Sequence, residues 1–292
     1  MLTGTEVTRI LVTGGRVRGV RLGDASLDAA PGQDRDVLAP AVVSAVGIQQ
    51  TYLRLLAPDV VPGRVLRRVR SYEMALPLAV AYLVLGRDLA AEGYRNATRL
   101  AVGAADLSGM YAAVQAGELP EDGMAGAWIA NLADPGNPRL CRPGQTSVQL
   151  ISVAPAQHAW WGIAPGSGPT ARYAARKREV RDWLVRLGER AIPGLSESIV
   201  YEETATPVTD ERFMRSAGGT SYGPALTPRQ ALTRMGPHGA VAGLFHAGAS
   251  VRPSHGLVGT LHGGLAAAAA VSSIPVAELL TRSTVAEAVS VR

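Results

Sequence analysis

Residues 246–264 read HAGASVRPSHGLVGTLHGG, and this stretch decides the fold. It holds five of the chain's 33 glycines, three of its five histidines and no Asp or Glu. The apolar run GLFHAGAS (243–250) leads into it, and GLVGTLHGGLAAAAAVSSI (256–274) leads out. The first reads as a short strand, the second as a helix begun by glycine and filled with alanine. A phosphate cradle, a metal site, a hydrolase elbow and a plain glycine-rich turn all suit such a stretch at first sight.

The surrounding residues sort these readings. GTSYG at 219–223 matches the G-x-S-x-G nucleophile elbow, which needs a strand before it, a helix after it and the order Ser, acid, His. No Asp or Glu lies between Ser221 and the last histidine, His262, so that triad cannot be built. His246, His255 and His262 are spaced by 9 and 7 residues, unlike the i, i+4 pair of a zinc helix. No carboxylate is near to orient their rings, and no metal is expected. Neither G-x-G-x-x-G nor G-x-x-x-x-G-K-[ST] occurs, so no self-contained dinucleotide or P-loop site is visible.

Charge points the same way as glycine. The net charge is +5, yet the 66 residues from Arg212 to Ala277 contain no acid and five arginines, namely 212, 215, 229, 234 and 252. The basic and acidic residues elsewhere balance, so the whole excess sits around the opening stretch, where an anionic ligand suits it. Nucleic acid does not, because the segment lacks aromatics interleaved with Lys and Arg and the chain has one lysine. A chain of 292 residues, 47% hydrophobic with 5% aromatics, can bury a substantial core of small aliphatic side chains. One cysteine, Cys141, forms no internal disulfide, which suits a reducing compartment. MLTGTEVTRI has no apolar signal region and no uninterrupted apolar run reaches about 18 residues, so a cytoplasmic chain is expected.

Upstream, EVTRILV and RVRGVRL alternate around Gly14–Gly15 and predict a hairpin. DVLAPAVVSAVG predicts a buried strand at Ala41–Val46, and QQTYLRLL a short helix. LPLAVAYLVLG, GMAGAWIANL and TSVQLISVAP read as sheet strands, with AADLSGMYAAVQAG a helix stopped by Gly117. TARYAARKREVRDWLVRLGERAIPG is the clearest helix, with Tyr173, Val180, Trp183, Leu184 and Leu187 on one stripe. ESIVYEETATPVT gives a further strand, and VAELLTRSTVAEAV a terminal helix or tail.

Taken in order, five segments resemble the phytoene desaturase-like and carotenoid isomerase-like FAD-dependent oxidoreductases. EVTRILVTGGRVRGVRL is similar to that family's V-x-x-I-x-V…G-x-V-x-G-V, and VVSAVGIQQTY to its VVSNAD…T. DPGNPRLCRPGQTSVQL resembles a D-P…P-G turn ahead of a strand, and ATPVTDERF…GGTSYG resembles T-P-x-D…G-x-x-Y-G. The opening stretch resembles the C-terminal flavin motif. His255 departs from the pattern, standing where the family usually has a small residue.

The resemblance implies an α/β fold: part of an FAD/NAD(P)-binding Rossmann-like domain with an inserted mixed-sheet α+β substrate domain. It places FAD-domain sequence at 1–60, the substrate domain at 61–205, and the C-terminal FAD segment with a tail at 206–292. FAD is the implied cofactor, with Val7, Ala45, Gly248, Ala249, Ser250, Gly256, Leu257, Val258 and Gly259 beside it. Arg252 and His255 are the polar candidates for catalysis. The implied chemistry is hydride transfer between flavin and an apolar, isoprenoid-like or lipidic substrate; desaturation, saturation and isomerisation stay open. Tyr82, Trp128, Trp160 and Trp161 are candidates to line its channel. In that family a βαβ unit with G-x-G-x-x-G precedes the EVTRILV strand, almost where this sequence begins. The N-terminal FAD half is therefore expected from upstream sequence or a second chain, with FAD held weakly by the 292 residues alone. The alternative is a non-catalytic remnant or partner subunit. An apolar substrate also implies peripheral membrane contact, at the inner face, through Arg64, Arg67, Arg68 and Arg70.

Overall fold

The computed structural model describes residues 1–24, 35–103, 106–164, 166–253 and 255–281. The chain divides into two compact units, one made of Met1–Ala75 with Tyr222–Arg292, the other of Leu76–Ser221 inserted between them in sequence.

The first unit opens with the expected hairpin. Strand β1 (Thr5–Thr13) pairs antiparallel with β2 (Arg16–Asp24) across Gly14 and Gly15, whose φ angles of +59° and +71° suit a hairpin turn. A third antiparallel strand, β3 (Arg35–Leu38), lies beyond β2. Its four residues are all exposed, so it carries no alternation for a sequence reading to find. Strand β4 (Val42–Ser44) is shorter than the run predicted at 41–46. Helix α1 (Ile48–Gln50) continues as a π-turn through Thr51–Leu55. After the Pro58–Val60 turn comes α2 (Gly63–Arg70), which buries Val69 and leaves Arg64, Arg67, Arg68 and Arg70 exposed.

The inserted unit is a five-stranded sheet in the order β6-β7-β8-β5-β9. Its elements are β5 (Leu78–Leu85), β6 (Arg99–Val102), α3 (Leu107–Ala116), β7 (Met124–Ile129), α4 (Ala130–Ala133), β8 (Thr146–Val153), α5 (His158–Trp161), α6 (Ala171–Glu189), β9 (Ile199–Ala205) and α7 (Pro207–Met214). The four strand pairs are antiparallel, where a mixed sheet was expected. Helix α3 ends at Gly117, with φ +93°, as its sequence predicts. Helix α6 is capped by Thr170, which accepts the Tyr173 N–H. It buries Val180, Trp183, Leu184 and Leu187 against Ala79, Ala81, Leu83 and Leu85 of β5 and Val148 and Leu150 of β8. A Cβ at Gly188 would come within 2.7 Å of the Leu150 side chain, so glycine there lets α6 approach β8.

The chain then returns to the first unit through α8 (Pro228–Thr233), β10 (Leu244–His246) and α9 (Gly256–Ser272). Strand β10 pairs parallel with β4, joining Leu244 to Val42 and His246 to Ser44. Residues 276–281 are helical, and the rest of the predicted tail lies outside the described residues. The boundaries expected at 60/61 and 205/206 fall instead at 75/76 and 221/222. The Pro/Gly break does not end the first unit, because α2 and the turn after it deliver Val69 and Tyr72 to the same cluster as Ile10, Tyr52 and Leu244. The α/β class is as the sequence implies.

Candidate functional site

The C-terminal ends of parallel strands are where α/β sheets bind ligands. Here β4 and β10 end together, and Ala247 N–H donates to the Ser44 carbonyl at 3.0 Å. Two loops leave this point, one starting at Ala45 and the other at Ala247. A buried polar network braces them. The Ser44 and Thr51 hydroxyls are 2.7 Å apart, and Thr51 Oγ1 donates to the Gly47 carbonyl. The Tyr52 phenol oxygen accepts the Ala240 N–H at 2.9 Å and lies 2.9 Å from His246 Nε2. The phenol and the imidazole thus share one buried hydrogen bond. Burial pushes the His246 pKa down to about 4, so this ring is neutral at pH 7. His246 is thus a buried, neutral group held beside Tyr52. Among the described residues no three His, Cys, Asp or Glu side chains gather to hold a metal.

Gly248 lies just past β10, with φ +85°. A Cβ there would sit 3.1 Å from the Ala45 carbonyl oxygen, so both backbone angle and space call for glycine. Gly263 of α9 lies against this turn: a Cβ on it would be 3.6 Å from the Gly248 N and O atoms. Ser250 is buried, and Ala249 half-buried, beneath the same turn. Gly256 begins α9 with φ +77°, and nothing lies within 4 Å of where its Cβ would point. His255, the residue before the helix, makes no side-chain cap. Among the described residues no side-chain cap is seen on the first-turn amides of Gly256, Leu257 and Val258, which carry the partial positive charge of a helix N-terminus. Gly259 follows in the same turn. Ala45, Gly248, Ala249, Ser250 and 256–259 are thus gathered around β4, β10 and α9. Val7 is not; it stands on β1 opposite Leu22, in the other sheet of the unit.

Arg252 is exposed, and its N–H donates to the Met235 carbonyl at 2.8 Å. The His255 ring lies 4.4 Å from that of Tyr222, and burial with the nearby Arg234 charge lowers its pKa. Sequence reasoning missed Arg234 as a site residue. It is 2% exposed; its Nη2 donates to the carbonyls of Ala249 (2.6 Å) and Tyr222 (3.3 Å), and its Nε and Nη1 have no partner. Burial lowers its pKa from the usual arginine value. The signal that could have found it is the acid-free segment itself: a buried arginine there has no sequence neighbour to neutralise it.

In the inserted unit the sheet has one face under α6 and one largely open. Cross-strand register puts Leu100, Gly126, Ile151 and Val80 in one row of the open face, and Trp128, Gln149, Tyr82 and Glu203 in the next. Leu100, Trp128 and Tyr82 are exposed. Helix α3 covers one end of this face, packing Met110 and Val114 on Val153, Leu78 and Met124. The four channel candidates separate. Tyr82 and Trp128 are on the open face. Trp161 is core and donates to the Pro155 carbonyl. Trp160 packs against that core, with the Arg176 guanidinium 4.6 Å above its ring. Ser221 donates to Asp210 at 3.3 Å and not to a histidine, which agrees with the rejection of a hydrolase elbow. No helix among the described residues is long and apolar enough to cross a membrane.

No family model matches the chain. Over 109 residues it is 34% identical to the chloroplastic prolycopene isomerase of Arabidopsis thaliana, covering 36% of this chain and 17% of that protein. Over 132 residues it is 28% identical to prolycopene isomerase 2 of an Oncidium hybrid cultivar, covering 44% and 21%. The aligned part is thus about a fifth of these relatives' length. Among solved structures, a double mutant of putrescine oxidase shares the fold, with a TM-score of 0.52 at 16% identity, over 92% of this chain and 48% of that one. Wild-type putrescine oxidase bound to putrescine gives 0.50 at 14%, over 95% and 48%. The prolycopene isomerase matches bear out the carotenoid isomerase-like resemblance carried by the motifs, and the putrescine oxidase structures agree with it in fold.

Proposed function

We propose that this chain forms part of an FAD-dependent oxidoreductase that moves hydride between flavin and an apolar, isoprenoid-like or lipidic substrate. The observation that carries this reading is the glycine turn between β10 and α9, placed at the C-terminal ends of two parallel strands and opening into an uncapped helix terminus. FAD fits these residues: the segment from Arg212 to Ala277 contributes no carboxylate, and the buried Arg234 guanidinium has two unpartnered nitrogens. The flavin, when bound, supplies the redox chemistry. The chain's residues would do the holding. Gly248 keeps the turn low against Ala45, the first-turn amides of α9 favour negative charge, and Arg252 and His255 are the polar groups at hand. The pyrophosphate requires a G-x-G-x-x-G turn, which these 292 residues lack, so a polypeptide carrying that turn would complete the site. The open sheet face, with Leu100, Ile151, Val80, Trp128 and Tyr82, would offer the apolar surface for substrate.

The test is reconstitution with a polypeptide that supplies the missing βαβ unit. The reconstituted protein should retain flavin through gel filtration, and the isolated chain should lose it. Gly248→Val should abolish retention while helix content stays unchanged. Unaltered flavin content in that variant would sink the reading. A second reading, a non-catalytic partner subunit, is favoured by one observation: the segment 212–277 that carries Arg252 and His255 contains no Asp or Glu of its own. Turnover of an apolar polyene by the reconstituted protein would end that alternative.

A further inference from the structure

The outer face of the β1–β2–β3 sheet carries a groove that the flavin reading does not use. Strand register sets that face, the one turned away from the buried Ile10 and Val17, in three rows. They are Arg9 with Arg21 and Asp36, then Leu11 with Gly19 and Leu38, then Thr13 with Arg16. Gly19 leaves the middle row without a side chain at its centre. It is buried with φ +148°, and a Cβ there would strike the Val37 carbonyl of β3, so only glycine fits. Beside it β2 sets two residues against one of β1, and the extra one, Arg18, is exposed. The trough, completed by Pro40, Ala57 and Val60, holds about 810 Å³, a size usual for small-molecule sites.

Backbone hydrogen bonds fix its walls. Val17 N–H donates to the Ala242 carbonyl at 2.8 Å, Ala242 N–H to Gly15 at 3.2 Å, and Ala39 N–H to Arg18 at 2.8 Å. The groove thus lies at the starts of β4 and β10, whereas the glycine turn lies at their ends. Its floor is apolar and its rim basic. Leu11 and Val60 are half-buried, and Leu38 is 76% exposed. Arg9, Arg16 and Arg18 line the groove, and among the described residues they form no ion pair or side-chain hydrogen bond. Two carboxylates also line it. Asp36 is held by Arg21, Nε to Oδ1 at 2.8 Å and Nη2 to Oδ2 at 3.1 Å. Asp59 offsets one of the three arginines, and two positive charges remain without a partner. Lone arginines on a flat surface are simply solvated. Arginines around an apolar trough favour a ligand that is charged at one end and hydrocarbon at the other.

We infer that this groove binds a single anionic amphiphile. Its apolar chain lies over Leu11, Gly19 and Leu38, and its carboxylate or phosphate head meets Arg16 and Arg18 at the hairpin end. Arginine suits both head groups, because its planar fork donates two parallel hydrogen bonds to their oxygens. Arg9, at the other end of the trough, adds to the positive field. The concave shape takes one molecule, where a flat bilayer surface would leave it unfilled. The site belongs to the first unit alone and does not rest on the flavin reading.

The experiment titrates the full chain by calorimetry with laurate below its micelle concentration. Laurate should saturate one site. Dodecanol, the same chain without the charge, should bind about ten-fold more weakly, and acetate, the charge without the chain, should not bind. Arg16→Gln and Arg18→Gln should each weaken laurate about five-fold, and Leu38→Asn about ten-fold. All three side chains are exposed, so the unfolding midpoint should stay in place; if one variant shifts it, the other two decide. Arg178→Gln, a change of charge in the inserted unit, should leave laurate binding unaltered. Tighter binding of dodecyl phosphate than of laurate assigns a phosphate head, and the reverse order a carboxylate. Equal binding of laurate and dodecanol overturns the site, as does equal laurate affinity in the wild type and the three groove variants. Loss of laurate in Trp128→Ala but not in Leu38→Asn moves the binding to the inserted sheet and overturns it too. So does binding to anionic vesicles with none to monomeric laurate.

Discussion

Helices α6 and α9 are similar in length, 19 and 17 residues, and their surfaces are used in opposite ways. Helix α6 has one apolar stripe, and that stripe is buried: Val180, Trp183, Leu184 and Leu187 reach the sheet while its Arg, Lys and Glu side chains face outward. Helix α9 has almost no polar face, yet its buried residues are Gly263 and Ala267. Leu257, Val258 and Leu261 are 77%, 67% and 59% exposed. A helix that is apolar all round is normally buried. The contrast teaches that the inserted unit satisfies its long helix internally, whereas α9 presents surface that the described residues do not cover. The same helix carries the glycine turn and the uncapped amides. Structure that looks unfinished and structure that looks functional coincide.

The contrast breaks most sharply by truncation. Trp183→Ala empties a site that is fully buried and donates to the Pro120 carbonyl, and should cost about 3–5 kcal/mol in urea unfolding. Leu261→Ala, on the open side of α9, should change stability by no more than about 0.5 kcal/mol. If the two variants cost the same, α9 is covered in solution and the contrast fails.

The second test sets the pH response of the first unit against that of the inserted one. The His246 pKa falls from 6.5 to about 4 on folding, so the folded state binds fewer protons than the unfolded state between those values. Stability is therefore unaffected above pH 6.5 and falls as pH drops towards 4, by about 3 kcal/mol at the limit. His246→Gln should flatten that slope in denaturant titrations at pH 7, 6 and 5. A slope unchanged by the substitution would show that the ring is not buried neutral.

Smaller effects sharpen the picture. Trp128→Ala on the open sheet face should cost less than about 1.5 kcal/mol of stability, yet weaken binding of a long apolar polyene about ten-fold, read by fluorescence. Unchanged polyene binding would remove this face as the substrate surface. Smallest of all, Arg68→Ala on α2 should weaken binding to anionic vesicles about five-fold at low salt, since each basic residue near such a surface is worth about 1 kcal/mol. Equal sedimentation with neutral and anionic vesicles would end the membrane proposal.

The legible parts of the chain were those where periodicity meets a nearby partner. The β1–β2 hairpin, α3 with its Gly117 stop and α6 with its stripe were readable because neighbouring residues dictate them. Strand β3 was not readable, since its residues are all exposed and its pairing with β2 leaves no pattern. Trp128 and Trp161 look alike in sequence, and only the register of the sheet puts one on an open face and the other in the core. The site was half readable. Its glycines and missing acids announce a ligand turn, but Val7 proved to stand apart and Arg234 was hidden among five arginines.

The sequence by itself determined the order of elements, the glycine turn and the excess of positive charge around it, because these depend on residue type and local spacing. Tertiary structure alone decided that Ser44 and His246 stand side by side, some 200 residues apart in the chain. It also decided that burial keeps His246 neutral beside Tyr52 and that the Arg234 side chain is sealed beneath Ala249 with two nitrogens unpartnered. Burial and long-range pairing set those outcomes, and neither is written in any short window of residues.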